Sequence, residues 1–196
     1  SSGNIITPGT ITANGTVLGG GGGAWTFIKS LTASDVASVA FVNGAADVVL
    51  DNTYVMYKVV GYDIVAATDD TNLQIQFSTD TGSSYITSGY DTLIRRMRSD
   101  AVNQNLTDTA SAIILNSLGS DADTEGAAFE FEIFNPSNAK YTRYLFTGVT
   151  RDNSSRVAHH IGGGMLETAG DVDALKIIQT SGNISGTFKL YGLTGA

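Results

Sequence analysis

Strict alternation of apolar and polar residues is the feature that most constrains this chain. Apolar residues occupy every second position in two segments, LQIQFSTD (residues 73–80) and AFEFEIF (residues 128–134). A period of two belongs to a β-strand with one buried face, because successive side chains of a strand point to opposite sides of its sheet. The same segments could not bury their apolar residues as helices. The chain must therefore build sheets that share a core.

Further apolar runs of strand length recur along the chain, and turn-forming residues separate them. The separating segments, such as ATDDTN and TRDNSS, are rich in Asp, Asn, Ser and Thr, which favour turns. No segment shows a clear helical period. About nine strands at this spacing predict an all-β protein, an antiparallel β-sandwich of the jelly-roll type. The other runs are WTFIKSL, VASVAFV, YVMYKVVGYDIV, YTRYLFTGV, SRVAHHI, ALKIIQ and TFKLYGL.

The charge balance argues against polyanionic partners. The chain has 196 residues and a net charge of −8, and its one basic cluster is Arg95, Arg96 and Arg98. Binding to nucleic acid or to an anionic membrane surface depends on clustered positive charge. No segment reaches the roughly 18 consecutive apolar residues of a membrane-spanning helix. We therefore expect no nucleic-acid partner and no membrane partner.

The sequence offers little from which to build a catalytic centre. It contains no cysteine, which excludes disulfides, cysteine–zinc sites and thiol catalysis. The only histidines, His159 and His160, are adjacent, so on a strand they point to opposite faces and cannot hold one metal together. Acidic pairs such as Asp69–Asp70 could serve a glycan-cleaving enzyme only if a second carboxylate lay across a groove. We expect a non-enzymatic protein.

The first 23 residues differ from the rest of the chain. The segment SSGNIITPGTITANGTVLGGGGG has no charged side chain, and its short β-prone runs are broken by PG and NG. Its five closing glycines form a flexible hinge. We predict that residues 1–23 are an arm that anchors the protein to another chain, and that residues 24–196 are the sandwich domain. The apolar residues expected to make the anchoring contact are Ile5, Ile6, Ile11, Val17 and Leu18.

One acidic segment matches the spacing of a calcium-binding loop. DADTEGAAFEFE, residues 121–132, has acidic residues and a glycine at the required positions. A loop of that kind curls between two helices, whereas the second half of this segment alternates like a strand. We predict no cofactor, and one alternative stays open, a calcium ion held by Asp121, Asp123 and Glu125.

Four segments within residues 24–194 stand in this order along the chain: WTFIKSLTAS, YKVVGYDIVAATDDTNLQIQFSTDTGSSYITSGY, EGAAFEFEIFNPSNAKYTRYLFTGV and DVDALKIIQTSGNISGTFKLYGL. Together they resemble a group of small virion structural proteins of tailed bacteriophages of aquatic bacteria. These proteins are of the tail-fibre, capsid-fibre or decoration type. The resemblance implies a β-sandwich on the virion surface, usually a homotrimer, attached through its N-terminal arm after assembly in the host cytoplasm. It implies no catalytic residues.

Two roles fit this resemblance. In the first, the protein is a head decoration or cement protein, or a short fibre, whose arm binds capsid or tail proteins. In the second, it is a receptor-binding adhesin of the tail fibre, or a free carbohydrate-binding module, whose loops bind a host surface glycan. Tyrosine rings in such loops could stack on sugars. The loops expected to do so are 66–72, 78–90 and 150–155, with Asp69, Asp70, Tyr85, Tyr90 and Asp152 as contact residues.

Overall fold

A computed structural model describes residues 25–136 and 140–194, together with the backbone of two short strands near the N-terminus. Those two strands, β1 (Ile11–Ala13) and β2 (Thr16–Leu18), form an antiparallel pair. The described residues contain no α-helix, and therefore none that could cross a membrane. The other strands are β3 (Thr26–Val36), β4 (Ser38–Val42), β5 (Met56–Ala66), β6 (Thr71–Ser78), β7 (Tyr90–Arg98), β8 (Gln104–Asp108), β9 (Ala112–Leu118), β10 (Gly126–Phe134), β11 (Thr142–Arg151), β12 (Val157–Leu166), β13 (Ala174–Gln179) and β14 (Ile184–Leu193).

The strand order confirms the predicted antiparallel jelly-roll sandwich. The large sheet has the order β3-β14-β5-β10-β11-β12-β7-β8, and the small sheet has the order β4-β13-β6-β9. Eight strands, β3, β4, β5, β6, β9, β10, β13 and β14, make up the basic fold. Numbered along the chain, they stand in the order 1-8-3-6 in one sheet and 2-7-4-5 in the other. This order is that of a jelly roll, which combines two Greek keys.

The other four strands widen the large sheet beyond this basic fold. The antiparallel pairs β11–β12 and β7–β8 continue the sheet outward from β10. Strand β9, at the edge of the small sheet, packs against β11, β12 and β7. One half of the large sheet is therefore basic jelly roll, and the other half is an extension.

Aromatic rings from both sheets fill the core. Phe77 of the small sheet lies 6.2 Å from Phe131 of the large sheet, and Phe131 stacks on Tyr144 at 5.3 Å, all distances being between ring centroids. All three side chains are fully buried. The two alternating segments that predicted strands therefore supply inward-facing residues to the centre of the sandwich, as expected.

Strand register defines two ends of the sandwich. Thr26, Leu193, Met56 and Tyr90 lie at one end of the large sheet, which we call the arm end because residue 25 joins the domain there. We call the other end of the sandwich the distal end. There β5 is followed by β6 and β11 is followed by β12. The C-terminal strand β14 lies between β3 and β5 and pairs with both, so it is an interior strand of the large sheet.

Candidate functional site

Large apolar side chains are concentrated on the outer face of the sheet extension, where they alternate with polar residues such as Thr147 and His159. Large apolar side chains project from β7, β11 and β12 away from the core, and each of them is between 39% and 59% exposed. The inner faces of the same strands line the core, so these strands are apolar on both sides. Such strands are typical of sheets that are covered on both faces. This surface, which we call the apolar face, consists of Leu93, Met97, Leu145, Val149, Val157 and Ile161.

An open groove runs across the apolar face. Gly163 of β12 lies directly between Leu145 of β11 and Leu93 of β7 in the strand register. Because Gly163 has no side chain, the backbone of β12 forms the floor between two leucine ridges. The groove has a volume of about 860 Å³ and is lined mainly by apolar atoms.

The glycines on either side of Gly163 are required by the core. A Cβ atom on Gly162 would lie 2.4 Å from Cζ of Phe146, and one on Gly164 would lie 2.8 Å from the hydroxyl oxygen of Tyr144. Both contacts are far closer than van der Waals distance, so these positions leave space for the two aromatic rings. The three consecutive glycines of β12, residues 162–164, therefore allow large rings to pack in the core and leave a groove on the outer face of the sheet.

Two arginines line the groove without forming ion pairs. Arg95 donates a hydrogen bond to Oδ1 of Asn105 at 2.9 Å, and Arg143 donates one to the carbonyl oxygen of Tyr141 at 3.3 Å. Within residues 25–136 and 140–194, no carboxylate lies within ion-pair distance of either guanidinium. The groove thus combines an apolar floor with two arginines that form no ion pair within the described residues.

The neighbouring strand β10 carries a negative stripe on the same outer face. Nζ of Lys58 lies 3.2 Å from Glu130 and 2.9 Å from Glu132, so two carboxylates share one ammonium group. Burial lowers the pKa of Lys58, but hydrogen bonds to Glu132 and Glu130 outweigh burial and raise it above its usual value. Trp25, where the arm joins the domain, places its ring 4.8 Å from the same Nζ atom. One negative charge of this stripe remains uncompensated locally.

The basic cluster and the two histidines are divided between the faces of the sheet. Arg95 and His159 face outward, whereas Arg96 and His160 are opposite each other in the register and buried. His160 accepts a hydrogen bond at Nε2 from the backbone N–H of Asn116 at 3.2 Å. Burial and the charge of Arg96 lower the pKa of His160 to about 4. The prediction that the two histidines point to opposite faces is confirmed.

The structure corrects the expected glycan-binding role of Tyr90. Its ring is only 2% exposed. Its hydroxyl accepts a hydrogen bond from the backbone N–H of Phe77 at 2.7 Å and lies 3.2 Å from the carbonyl oxygen of Ile86, to which it donates. The ring is part of the core and cannot stack on a sugar at the surface.

The three predicted contact loops do not form one tip. Loops 66–72 and 150–155 lie at the distal end, whereas loop 78–90 lies at the arm end. Tyr85 in that third loop is half-buried, with the ammonium group of Lys176 only 4.3 Å from its ring centroid. Loop 78–90 therefore cannot share a ligand with the two loops at the distal end.

The predicted aspartates mainly organise turns. Asp152 is 2% exposed and forms an ion pair with Arg156 at 2.7 Å. Asp69 accepts a hydrogen bond from the backbone N–H of Ser120 at 2.8 Å. Asp70 accepts one from the hydroxyl of Ser117 in β9 at 3.0 Å, so both aspartates are exposed but hydrogen-bonded to β9 or to the connection that follows it.

The acidic segment 121–125 is closed by its own hydrogen bonds. Asp121 accepts bonds from the backbone N–H of Asp123 and the hydroxyl of Thr124, both at 2.9 Å, and Glu125 accepts one from the backbone N–H of Asp121 at 3.0 Å. The bond from Asp123 is the main reason that the pKa of Asp121 is lowered. In the described parts of the chain, no three His, Asp or Glu side chains are arranged to hold a metal ion. A calcium ion held by Asp121, Asp123 and Glu125 stays an untested alternative to the prediction of no cofactor.

The structure describes no side chain of the five predicted anchoring residues. Ile5 and Ile6 fall outside them altogether. For Ile11, Val17 and Leu18 the structure describes the backbone pairing, in which Ile11 is opposite Leu18. Their anchoring role stays a prediction.

A scan against protein-family models and a search of curated proteins found no match to this chain.

The apolar face was not among the sites predicted from the sequence, although the sequence contains a signal for it. In YTRYLFTGV, apolar residues occupy both alternating sets of positions, including Leu145 and Val149 on the outward set. That departure from one-sided alternation marks a strand that is covered on both faces.

Proposed function

We propose that this chain is a non-enzymatic structural protein on the surface of a tailed-phage virion. In this proposal it is a homotrimer of jelly-roll domains that attaches to capsid or tail proteins through residues 1–23. It acts as a head decoration or cement protein, or as a short fibre. The observation that carries the proposal is the apolar face, which calls for a permanent protein partner.

The size of the apolar face supports such a partner. Its six side chains are each roughly half exposed. Burying one large apolar side chain completely contributes about 1.5–3 kcal/mol, so covering the exposed halves of six would contribute on the order of 5 kcal/mol. Large exposed apolar side chains concentrated on one face of a soluble protein often mark a protein-binding surface.

The arrangement of the two ends also supports attachment through the arm. Trp25 and the end of β14 lie at the arm end, and the connections 67–70, 119–125 and 152–156 lie at the distal end. A protein anchored by residues 1–23 would therefore present its distal loops outward. The absence of cysteine fits assembly in a reducing bacterial cytoplasm.

The first test is the mass in solution, measured by light scattering, of the full chain and of a chain that starts at Trp25. All strands of the sandwich lie within residues 26–193, so the shorter chain keeps the whole core. Both chains are expected to have the mass of a trimer. If both have the mass of a monomer, the proposed trimer is refuted. Mass spectrometry of purified virions tests the anchoring role. Virions assembled with the full chain should contain the protein, whereas virions assembled with a chain that lacks residues 1–23 should not.

A groove at the distal end favours a second candidate, a receptor-binding adhesin for a host glycan. The groove has a volume of about 650 Å³ and is lined by Tyr62, Asp63, Glu125 and Ser185 among others. Hydroxyl and carboxylate groups beside an aromatic ring are suited to sugar binding. Under this alternative, the full chain binds to a glycan array and Tyr62→Ala abolishes the binding. Absence of binding by the folded wild-type protein would rule this candidate out for the glycans on the array.

A further inference from the structure

We propose that the apolar face of one copy binds the negative stripe, Glu130 and Glu132, of a second copy of this chain. In this contact the groove of one copy lies against β10 of the other. This inference rests on the self-association in the proposed function and assigns the surfaces that form it. It does not depend on where a virion would carry the assembly.

Charge complementarity selects this partner. The groove carries Arg95 and Arg143, which have no ion-pair partner within the described residues, while Glu130 and Glu132 share only Lys58. The side chain of Glu130 is 52% exposed, so its carboxylate is available to a neighbouring copy. Complementary charges around an apolar centre set the register of a protein interface and disfavour wrong pairings.

A two-fold contact of groove against groove is disfavoured by the same charges. It would bring Arg95 and Arg143 of one copy against Arg95 and Arg143 of the other. Like charges brought together at an interface cost several kcal/mol. The groove therefore needs a different surface of the second copy, and the stripe on β10 supplies the opposite charge.

Strand register places the groove and the stripe at the same height on the sheet. Glu132, Leu145, Gly163 and Leu93 are consecutive partners across β10, β11, β12 and β7. The next row on this face runs in the same way from Glu130 to Arg95. A rotation about an axis roughly parallel to the strands can therefore bring the groove of one copy to the stripe of the next without a shift along the strands.

The test uses the full chain and measures association by light scattering and analytical ultracentrifugation. Ile161→Asp, in the apolar face, is expected to give monomers. Val36→Asp is the matched control, because Val36 is 37% exposed at the opposite edge of the large sheet, compared with 48% for Ile161. Circular dichroism confirms that each variant is folded. Wild-type mass for a folded Ile161→Asp protein would overturn the proposal, as would loss of assembly by Val36→Asp to the same degree.

Charge reversal tests the pairing itself. Arg95→Glu and Glu130→Arg are each expected to weaken association at least tenfold, and a protein with both changes is expected to recover most of it. Failure of the double variant to recover would overturn the assignment of Glu130 as the partner. If the full chain assembles and the chain starting at Trp25 is a folded monomer, the arm covers the apolar face and the proposal fails.

Failure of the proposed interface can be distinguished from failure of the proposed virion role. Assembly with the expected charge-reversal pattern, but without incorporation into virions, would leave the interface standing and refute the virion role. Incorporation into virions by the folded Ile161→Asp protein, together with wild-type assembly, would refute the interface and leave the virion role standing.

Discussion

Acidification should destabilise the fold through one buried histidine, and His160→Gln isolates the effect. His160 is fully buried and faces Arg96 across the β12–β7 pair. The charges of Arg98 and Arg156 lie close to Arg96, and those of Asp100 and Asp152 partly offset them. Protonation of His160 would therefore add a positive charge to a buried region that already holds Arg96. A glutamine keeps an acceptor for the N–H of Asn116 and does not titrate.

The size of the effect follows from the change in pKa. Burial and Arg96 lower the pKa of His160 from 6.5 to about 4. Between these two values the unfolded chain binds a proton that the folded chain does not, so the free energy of unfolding falls as the pH falls. The loss begins below pH 6.5 and is complete below pH 4, where it amounts to about 3 kcal/mol. At pH 4.5 the loss should be about 2.5 kcal/mol.

Urea unfolding followed by circular dichroism at pH 7 and pH 4.5 measures this difference. The wild-type protein should lose about 2.5 kcal/mol more on acidification than His160→Gln does. Carboxylates such as Asp100, whose pKa is lowered to about 2, respond mainly at lower pH and are common to both proteins. Equal losses for the two proteins would refute the account of a buried neutral histidine.

Three further perturbations test the core, the glycine run and the acidic loop. Phe131→Ala should cost about 3–5 kcal/mol of unfolding free energy, measured by urea denaturation, because Phe131 is fully buried among aromatic rings; a near-neutral result would contradict the assigned register of β10. Gly164→Ala should lower the melting temperature and cost at least about 1–3 kcal/mol, since its Cβ would lie 2.1 Å from the carbonyl oxygen of Asp91; an unchanged melting temperature would contradict the close packing of β12 on β7. Calcium at millimolar concentration should leave the melting temperature unchanged, because no three acidic side chains of the described residues are arranged to hold a metal ion; a rise that Asp121→Asn removes would restore the calcium site.

Alternation in the sequence was sufficient to predict the fold class. In segments 73–80 and 128–134 the period of two placed Phe77 and Phe131 on the buried side, where the structure has them. These are local signals, since one strand and its turn residues determine which side chains point inward. The opposite orientations of His159 and His160 followed from the same rule.

The candidate site depended on which strands became neighbours. Leu93, Leu145 and Gly163 are far apart in the chain, and the antiparallel pairing of β7, β12 and β11 brings them into one row. The burial of Tyr90 and the separation of loop 78–90 from the other two loops arose in the same way. A residue in a turn-rich segment is predicted to be exposed, because its burial depends on packing of the opposite sheet, which local sequence does not reveal.

The sequence by itself determined an all-β protein with inward-facing aromatic residues, a net negative charge and an uncharged N-terminal segment. These properties are set by residue type and by spacing over a few positions. The tertiary structure decided that four extra strands would widen one sheet, that Gly163 would open a groove, and that Arg95 and Glu130 would share a row. The physical reason is that long-range pairing fixes the register between strands, and a shift of one residue would move every one of these side chains to the other face.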